Sequence, residues 1–262
     1  MSTTTTHAPG TFCWFELHTT DDAAAHTFYG NLLGWGERQI PMGNDMVYRI
    51  EQLQGKDVAA ITKMMPDMMK LGIPSNWMPY VATDDVDASA AKAKSLGGSI
   101  TAEPFDVMDA GRMAVIRDPQ GAMISLWKGK NTPGVGIVGE VGAQVWSELL
   151  TNDTAGAGKF YSGLFGWRLE DMPNNLQKYT LLKQGDQSVG GMFAIRPDMG
   201  PMPPNWMLYF RVADCDAALK KAEALGGRVL MPAQTVAGAG RFAPLMDPTG
   251  AAFAVLQPEP GM

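Results

Sequence analysis

The chain spells one pattern twice, and that duplication constrains its fold more than any other feature. Trp14-Phe15-Glu16-Leu17, Asp21 and Phe28-Tyr29-Gly30-Asn31-Leu32-Leu33-Gly34-Trp35 return 132 residues later as Trp146-Ser147-Glu148-Leu149, Asp153 and Phe160-Tyr161-Ser162-Gly163-Leu164-Phe165-Gly166-Trp167. Asn76-Trp77-Met78, Leu96-Gly97-Gly98, Gly111-Arg112 and Asp118-Pro119-Gln120-Gly121 return as Asn205-Trp206-Met207, Leu225-Gly226-Gly227, Gly240-Arg241 and Asp247-Pro248-Thr249-Gly250, now at an offset of 129. So small a slip over so many matched positions means a duplicated domain with loop deletions, and the period is too long for a solenoid. The expected layout is a disordered tail over 1–10, a domain over 11–129, a Gly-rich linker over 130–142 and a second domain over 143–258.

Composition excludes several classes of partner. Of the 262 residues 45% are hydrophobic and 18% charged, which suits globular domains. A net charge of −6 without a Lys/Arg run lacks the phosphate-neutralising stripe of a nucleic-acid binder. Cys13 and Cys215 do not match between the copies and have no second thiol nearby in sequence, so neither a disulfide framework nor a thiolate metal cluster is expected. The first ten residues lack a basic and apolar leader, and no apolar run approaches ~18 residues. The expectation is a cytoplasmic chain without a membrane partner.

Each copy runs through the same local grammar twice. Phe12–His18 alternates with period 2, and Asp21 or Thr20 then caps a helix that stops at Gly34. Met46–Glu51 and Val58–Lys63 read as strands, and Pro66–Ser75 as a connector. Trp77–Ala82 opens a second cycle, with a helix beginning at Asp85 and ending at Gly97-Gly98, then strands near Ser99–Ala102, Arg112–Arg117 and Met123–Trp127. The fold class is therefore α+β, with four βαβββ units. The Asp-Pro-x-Gly segments are hairpin turns, with Pro at the second position and Gly supplying positive φ.

These residues carry a resemblance to a known family. The segments Asp21…Phe28-Tyr29…Leu33-Gly34-Trp35 and Asp84-Asp85-Val86-Asp87-Ala88…Leu96-Gly97-Gly98, with the Asp-Pro-x-Gly turn near each domain end, resemble the vicinal oxygen chelate superfamily of glyoxalases, bleomycin-resistance proteins and extradiol dioxygenases. The resemblance covers nearly the whole chain in two copies and looks most like tandem two-domain glyoxalase-like proteins. It implies two tandem domains, each a half-open eight-stranded cup with outer helices and the ligand inside. It also implies that the domains pair as homodimers of single-domain relatives do, giving a pseudo-twofold monomer with further dimerisation left open.

The family's metal-ligand places hold other residues here. By the resemblance they fall on Trp14 and Ser125 in the first domain, on Trp146 and Ala254 in the second, and about on Met78 and Met207. Indole, hydroxyl, methyl and thioether groups do not supply the convergent imidazoles and carboxylates that zinc, iron or manganese needs. No metal and no other cofactor is expected in the cup.

What the cup holds instead defines the candidate site. Strand alternation puts Trp14, Glu16 and His18 on one face and Trp146, Glu148 and Leu150 on its counterpart, and the resemblance makes this the lining face. Each Trp offers ~100 Å² to a ligand, about 2–3 kcal/mol of apolar burial. Glu16 and Glu148 are the candidate proton acceptors, with Arg112 and Arg241 as candidate oxyanion stabilisers. Tyr48, Tyr179, Met78, Met207, Ser125 and His18 complete the candidate ligand-binding set. Plainer roles stand beside these: Trp14 and Trp146 as plugs of a closed cup, the Glu and Arg residues as structural ion pairs, His18 as a strand residue, and Trp77 and Trp206 as fold anchors. Met64, Met65, Met68 and Met69, with Met192, Met199 and Met202, suit either a pliable lipophilic pocket or loose core.

Three functions follow. The leading one is a metal-free protein that binds a small hydrophobic or aromatic metabolite or antibiotic. The second is a metal-free isomerase or lyase with Glu as general base, and the third a metal-dependent glyoxalase or dioxygenase with atypical ligands such as Glu16 and His18.

Overall fold

The structure is a computed structural model that describes residues 7–43, 46–172 and 178–259. The first copy runs β1 (Phe12–Thr19), α1 (Asp22–Leu33), β2 (Gly36–Gly43), β3 (Met46–Leu53), β4 (Lys56–Lys63), α2 (Pro66–Lys70), β5 (Asn76–Ala82), α3 (Val86–Ser95), β6 (Ser99–Val107), β7 (Gly111–Arg117) and β8 (Met123–Gly129). The second runs β9 (Gln144–Thr151), α4 (Thr154–Phe165), β10 (Arg168–Asp171), β11 (Tyr179–Gln184), β12 (Gln187–Ala194), β13 (Asn205–Arg211), α5 (Cys215–Ala224), β14 (Arg228–Val229), β15 (Gln234–Val236), β16 (Gly240–Met246) and β17 (Ala252–Pro258). The α+β class and the fourfold strand-helix-strand-strand-strand plan stand as read. The connector after β4 differs by one short helix, α2, with Pro66 in its first turn where a missing N–H costs nothing.

The four long helices start alike because their caps are local chemistry. Asp21, Asp85, Asp153 and Asp214 each accept a hydrogen bond from the backbone N–H three residues on, at 2.9–3.0 Å. Helices α1 and α4 end at Gly34 and Gly166, whose φ of 81° and 76° makes a left-handed cap. The first sheet has the order β2-β3-β4-β1-β5-β8-β7-β6 and the second β10-β11-β12-β9-β13-β17-β16-β14, with β15 paired to β16. Among the described residues no helix is long and apolar enough to cross a membrane.

The chain is compact in two bodies, and neither is a sequence half. One contains Phe15–Trp77, Val135–Val145 and Leu208–Met262, and the other Met1–Trp14, Met78–Gly134 and Trp146–Met207. Each body therefore joins one βαβββ unit of the first copy to one of the second.

The repeated aromatics explain how. In the first body Tyr29 stacks on Trp35 at 5.5 Å between ring centroids and meets Trp77 and Phe253 edge-on at 5.3 and 5.2 Å. In the second, Tyr161 stacks on Trp167 at 5.6 Å and meets Trp206 edge-on at 5.3 Å. Trp77 Nε1 donates to Tyr29 Oη at 3.0 Å, and Tyr29 Oη donates to Asp247 Oδ2 at 3.0 Å. Trp206, Tyr161 and Asp118 repeat the relay at 3.1 and 3.0 Å. Each Asp is the first residue of an Asp-Pro-x-Gly turn, and its other oxygen holds that turn through backbone N–H groups at 2.7–3.0 Å. Trp77 and Trp206 thus act as fold anchors, and the turns join the copies.

The recurring Leu-Gly-Gly has a packing reason. A Cβ on Gly98 would lie 2.9 Å from the Phe160 ring, and one on Gly227 would lie 2.9 Å from the Phe28 ring, so α4 and α1 approach only over glycine. Of the tail expected over 1–10, residues 1–6 lie outside the described residues. The rest is held in place: Gly10 is buried, donates to Ala82 O at 2.9 Å, and accepts from Trp167 Nε1 at 2.7 Å.

Removing the phenolic hydroxyl of the relay leaves a carboxylate oxygen and an indole N–H buried without their partner, at about 1–3 kcal/mol per group. Tyr29→Phe and Tyr161→Phe should each lower the stability measured by urea unfolding by about 2–3 kcal/mol. A loss within about 0.5 kcal/mol, the size of an ordinary surface substitution, would remove the relay from the account of stability.

Candidate functional site

The strands β1 and β9 open the two copies and carry the candidate carboxylates at their fifth residues. Glu16 and Glu148 are 8% and 7% exposed, a degree of burial that carboxylates reach when they are paired. Parallel pairing sets Glu16 beside Ala60 on β4 and Glu148 beside Gly191 on β12. The residue across the strand pair from each carboxylate therefore differs between the copies.

In the second copy the space over Gly191 is filled by Tyr179. A Cβ built on Gly191 would overlap the Tyr179 hydroxyl, so glycine is required for the phenol to cross the strand there. The hydroxyl accepts a hydrogen bond from Trp146 Nε1 at 2.9 Å. Its own proton goes to Glu148, and burial first, then the Glu148 charge and hydrogen bond, drive the Tyr179 pKa far above that of a free phenol. Trp146, Tyr179 and Glu148 are therefore one hydrogen-bonded group, with a neutral phenol at its centre. Trp146 and Tyr179 are half-buried, so the group keeps an opening to water.

The first copy is built otherwise. Ala60 carries the methyl that Gly191 lacks. His18 stands beside Glu16, with Nε2 3.4 Å from Glu16 Oε1 and 22% of its side chain exposed. Burial acts to lower the His18 pKa, but the hydrogen bond and charge of Glu16 together outweigh it and hold the pKa above the usual imidazole value. Trp14 is only 5% exposed, as a plug would be, whereas its counterpart Trp146 is open. Ser125 is fully buried on β8, and its hydroxyl has no hydrogen-bond partner. Its counterpart Ala254 carries no hydroxyl at that place.

The other candidates fall elsewhere. Arg112 grips Asp87 with two parallel hydrogen bonds of 2.7 and 2.8 Å, and Arg241 grips Asp216 at 3.0 and 2.7 Å. These exposed forks tie β7 to α3 and β16 to α5, so both guanidiniums serve structural pairs rather than Glu16 or Glu148. Met78 and Met207 are buried, at 5% and 8%, whereas Met65 is 52% exposed, so the methionines do not form one lipophilic patch. Surface grooves run beside Thr83, Lys92 and Phe165, and beside Thr154, Leu169 and Thr180, away from the two carboxylates. The glycine that shapes the second site was missed in the sequence, although Ala60 against Gly191 was a visible difference between otherwise matched strands.

Comparison with known proteins supports a family assignment. The model of the Glyoxalase/Bleomycin resistance protein/Dioxygenase superfamily matches residues 11–126 and 143–255. The chain is 42% identical over 253 residues to "Putative glyoxylase CFP32" of Mycobacterium tuberculosis (strain CDC 1551 / Oshkosh), covering 96% of each. It is 34% identical over 264 residues to "Anthracycline biosynthesis protein DnrV" of Streptomyces peucetius, covering 97% of this chain and 95% of that one. In fold it is similar to the Mn(II)-bound glyoxalase of Novosphingobium aromaticivorans, with TM-score 0.65, 14% identity, and 95% and 82% of the two chains covered. It is similar also to the 2,2',3-trihydroxybiphenyl 1,2-dioxygenase of Sphingomonas wittichii strain RW1, with TM-score 0.66, 14% identity, and 95% and 91% covered.

Two measurements test the sites. Gly191→Ala should displace Tyr179, break its bonds to Trp146 and Glu148, and cost about 1–3 kcal/mol in stability, whereas a cost near zero would mean the phenol does not lie over the strand. Because the folded pKa of His18 is raised, the Glu16–His18 pair contributes fully below the unfolded value near pH 6.5 and fades as pH rises through the folded value. His18→Leu, which installs the second copy's residue, should therefore destabilise more at pH 6 than at pH 9 in urea titrations. An equal effect at both would exclude a charged pair.

Proposed function

The chain belongs to the glyoxalase, bleomycin resistance protein and dioxygenase superfamily, and from that premise we propose that it binds a small, planar, hydroxylated aromatic molecule in the cup of its second domain. The observation that carries this reading is the Trp146–Tyr179–Glu148 group. An indole supplies a rigid apolar platform, and a carboxylate held by a neutral phenol supplies an acceptor for a ligand hydroxyl. The relative named for anthracycline biosynthesis supports an aromatic ligand of this kind.

The reading keeps the cup free of metal. The family's ligand places hold Trp14, Ser125, Met78, Trp146, Ala254 and Met207, and such a donor set does not fit a divalent transition metal. No step is routed through one. A cytoplasmic setting agrees with Cys13 and Cys215, which are buried free thiols, burial pushing the Cys215 thiol up to about 11.

A second reading rests on the Glu16–His18 pair, whose 3.4 Å separation allows a proton to pass between carboxylate and imidazole. It makes the first domain an isomerase or lyase that moves a proton beside a carbonyl, with Glu16 as base.

A dihydroxyanthraquinone, followed by quenching of tryptophan fluorescence, is a suitable probe. Binding in the micromolar range is expected, weakened about 30-fold or more by Trp146→Ala as roughly 2–3 kcal/mol of apolar contact is lost. Tyr179→Phe and Glu148→Gln should weaken it less. Binding that ignores Trp146→Ala would refute the second-domain site. Chemical conversion of the probe that Glu16→Gln abolishes would favour the enzyme.

A further inference from the structure

Three ionisable side chains meet on the helix-facing side of the first sheet, where the cup reading has no use for them. His26 of α1 places Nδ1 3.0 Å from Glu51 Oε2 on β3 and Nε2 3.9 Å from Glu37 Oε1 on β2. Glu37 and Glu51 are directly opposite partners in the antiparallel β2–β3 ladder, an arrangement that like charges destabilise. Glu51 is wholly buried. Arg49 bridges Glu37 Oε2 at 2.6 Å and Asp22 Oδ2 at 2.8 Å. The group thus sets three carboxyl groups against one fixed cation, with His26 standing between two of them.

The second copy shows that the fold does not require this. The matching residues there are Gly158, Leu169 and Leu182, and Leu169 Cδ1 lies 2.6 Å from where a Cβ on Gly158 would stand, so the leucine fills the space of the imidazole. Apolar residues of similar volume are commonly neutral or stabilising in place of a buried ionic group. The polar version is therefore not a requirement of packing.

We propose that His26, Glu37 and Glu51 bind a divalent first-row transition-metal ion such as Zn²⁺. One donor atom from each of the three lies within 4.8 Å of the others. A single imidazole nitrogen would ligate, since Nδ1 lies beside Glu51 and Nε2 beside Glu37 and one ion takes only one of them. The ion would replace the proton shared by imidazole and carboxylate. Arg49 on Oε2 and Gln39 Nε2 on Oε1, the latter at 2.7 Å, orient the Glu37 carboxylate as outer partners do in metal sites. The His26 and Glu37 side chains are 24% and 23% exposed, which gives the ion a way in and leaves room for water ligands. This site lies outside the cup and does not depend on the ligand proposed for Trp146.

The test uses the full chain without an affinity tag, stripped with a chelator and titrated with Zn²⁺ by calorimetry and with Co²⁺ by visible absorption. One ion per chain is expected, at a dissociation constant of about 10 µM or tighter, with a rise in melting temperature on saturation. His26→Ala and Glu51→Gln should each weaken binding at least about 100-fold, beyond what loss of an outer partner does. The triple variant His26→Gly, Glu37→Leu, Glu51→Leu copies the apolar packing of the second copy and serves as the folded control without metal uptake. No saturable binding below about 1 mM, or undiminished binding by a folded variant, would overturn the site.

Discussion

The bond between a tyrosine of one copy and a turn aspartate of the other organises this molecule. Tyr29 and Asp247 lie 218 positions apart in the chain, and the hydrogen bond between them is buried in a cluster of aromatic rings. The same aspartate shapes its own turn with its second oxygen, so a local device and a distant tie share one carboxylate. Its twin joins Tyr161 to Asp118. Because each tie pairs one half of each copy, the compact bodies interleave the duplicated sequence rather than follow it.

Much of the fold was legible because its determinants are local. The aspartate caps, the glycine stops and the alternation of β1 all act over a few residues, and each was read from the sequence. The strand β2 was harder to see: it is an edge strand, mostly exposed and containing Pro41, so it has no buried face to impose alternation. The tyrosine-aspartate ties were hidden because sequence separation conceals partners, although both residues recurred. Arg112 and Arg241 recurred as well, but their partners Asp87 and Asp216 sit one turn inside helices whose caps had already been identified. Reading those arginines against the nearest matched acid would have placed them correctly.

The candidate chemistry lies where the copies stop matching. Reading only what recurs found Glu16, Glu148, Trp14 and Trp146, but it gave them equal roles. The structure separates them through neighbours that differ: Gly191 admits a phenol beside Glu148, whereas Ala60 and His18 stand beside Glu16. His26, Glu37 and Glu51 were passed over for the same reason, since their counterparts are glycine and leucine and the triad has no echo. Duplication freed one copy to carry polar groups that the other shows to be dispensable for packing.

The interleaved bodies have a further consequence for the covalent chain. The segment over 130–142 joins the two copies, and because each body draws segments from both sides of it, a single backbone break there would leave each body composed of two separate chains.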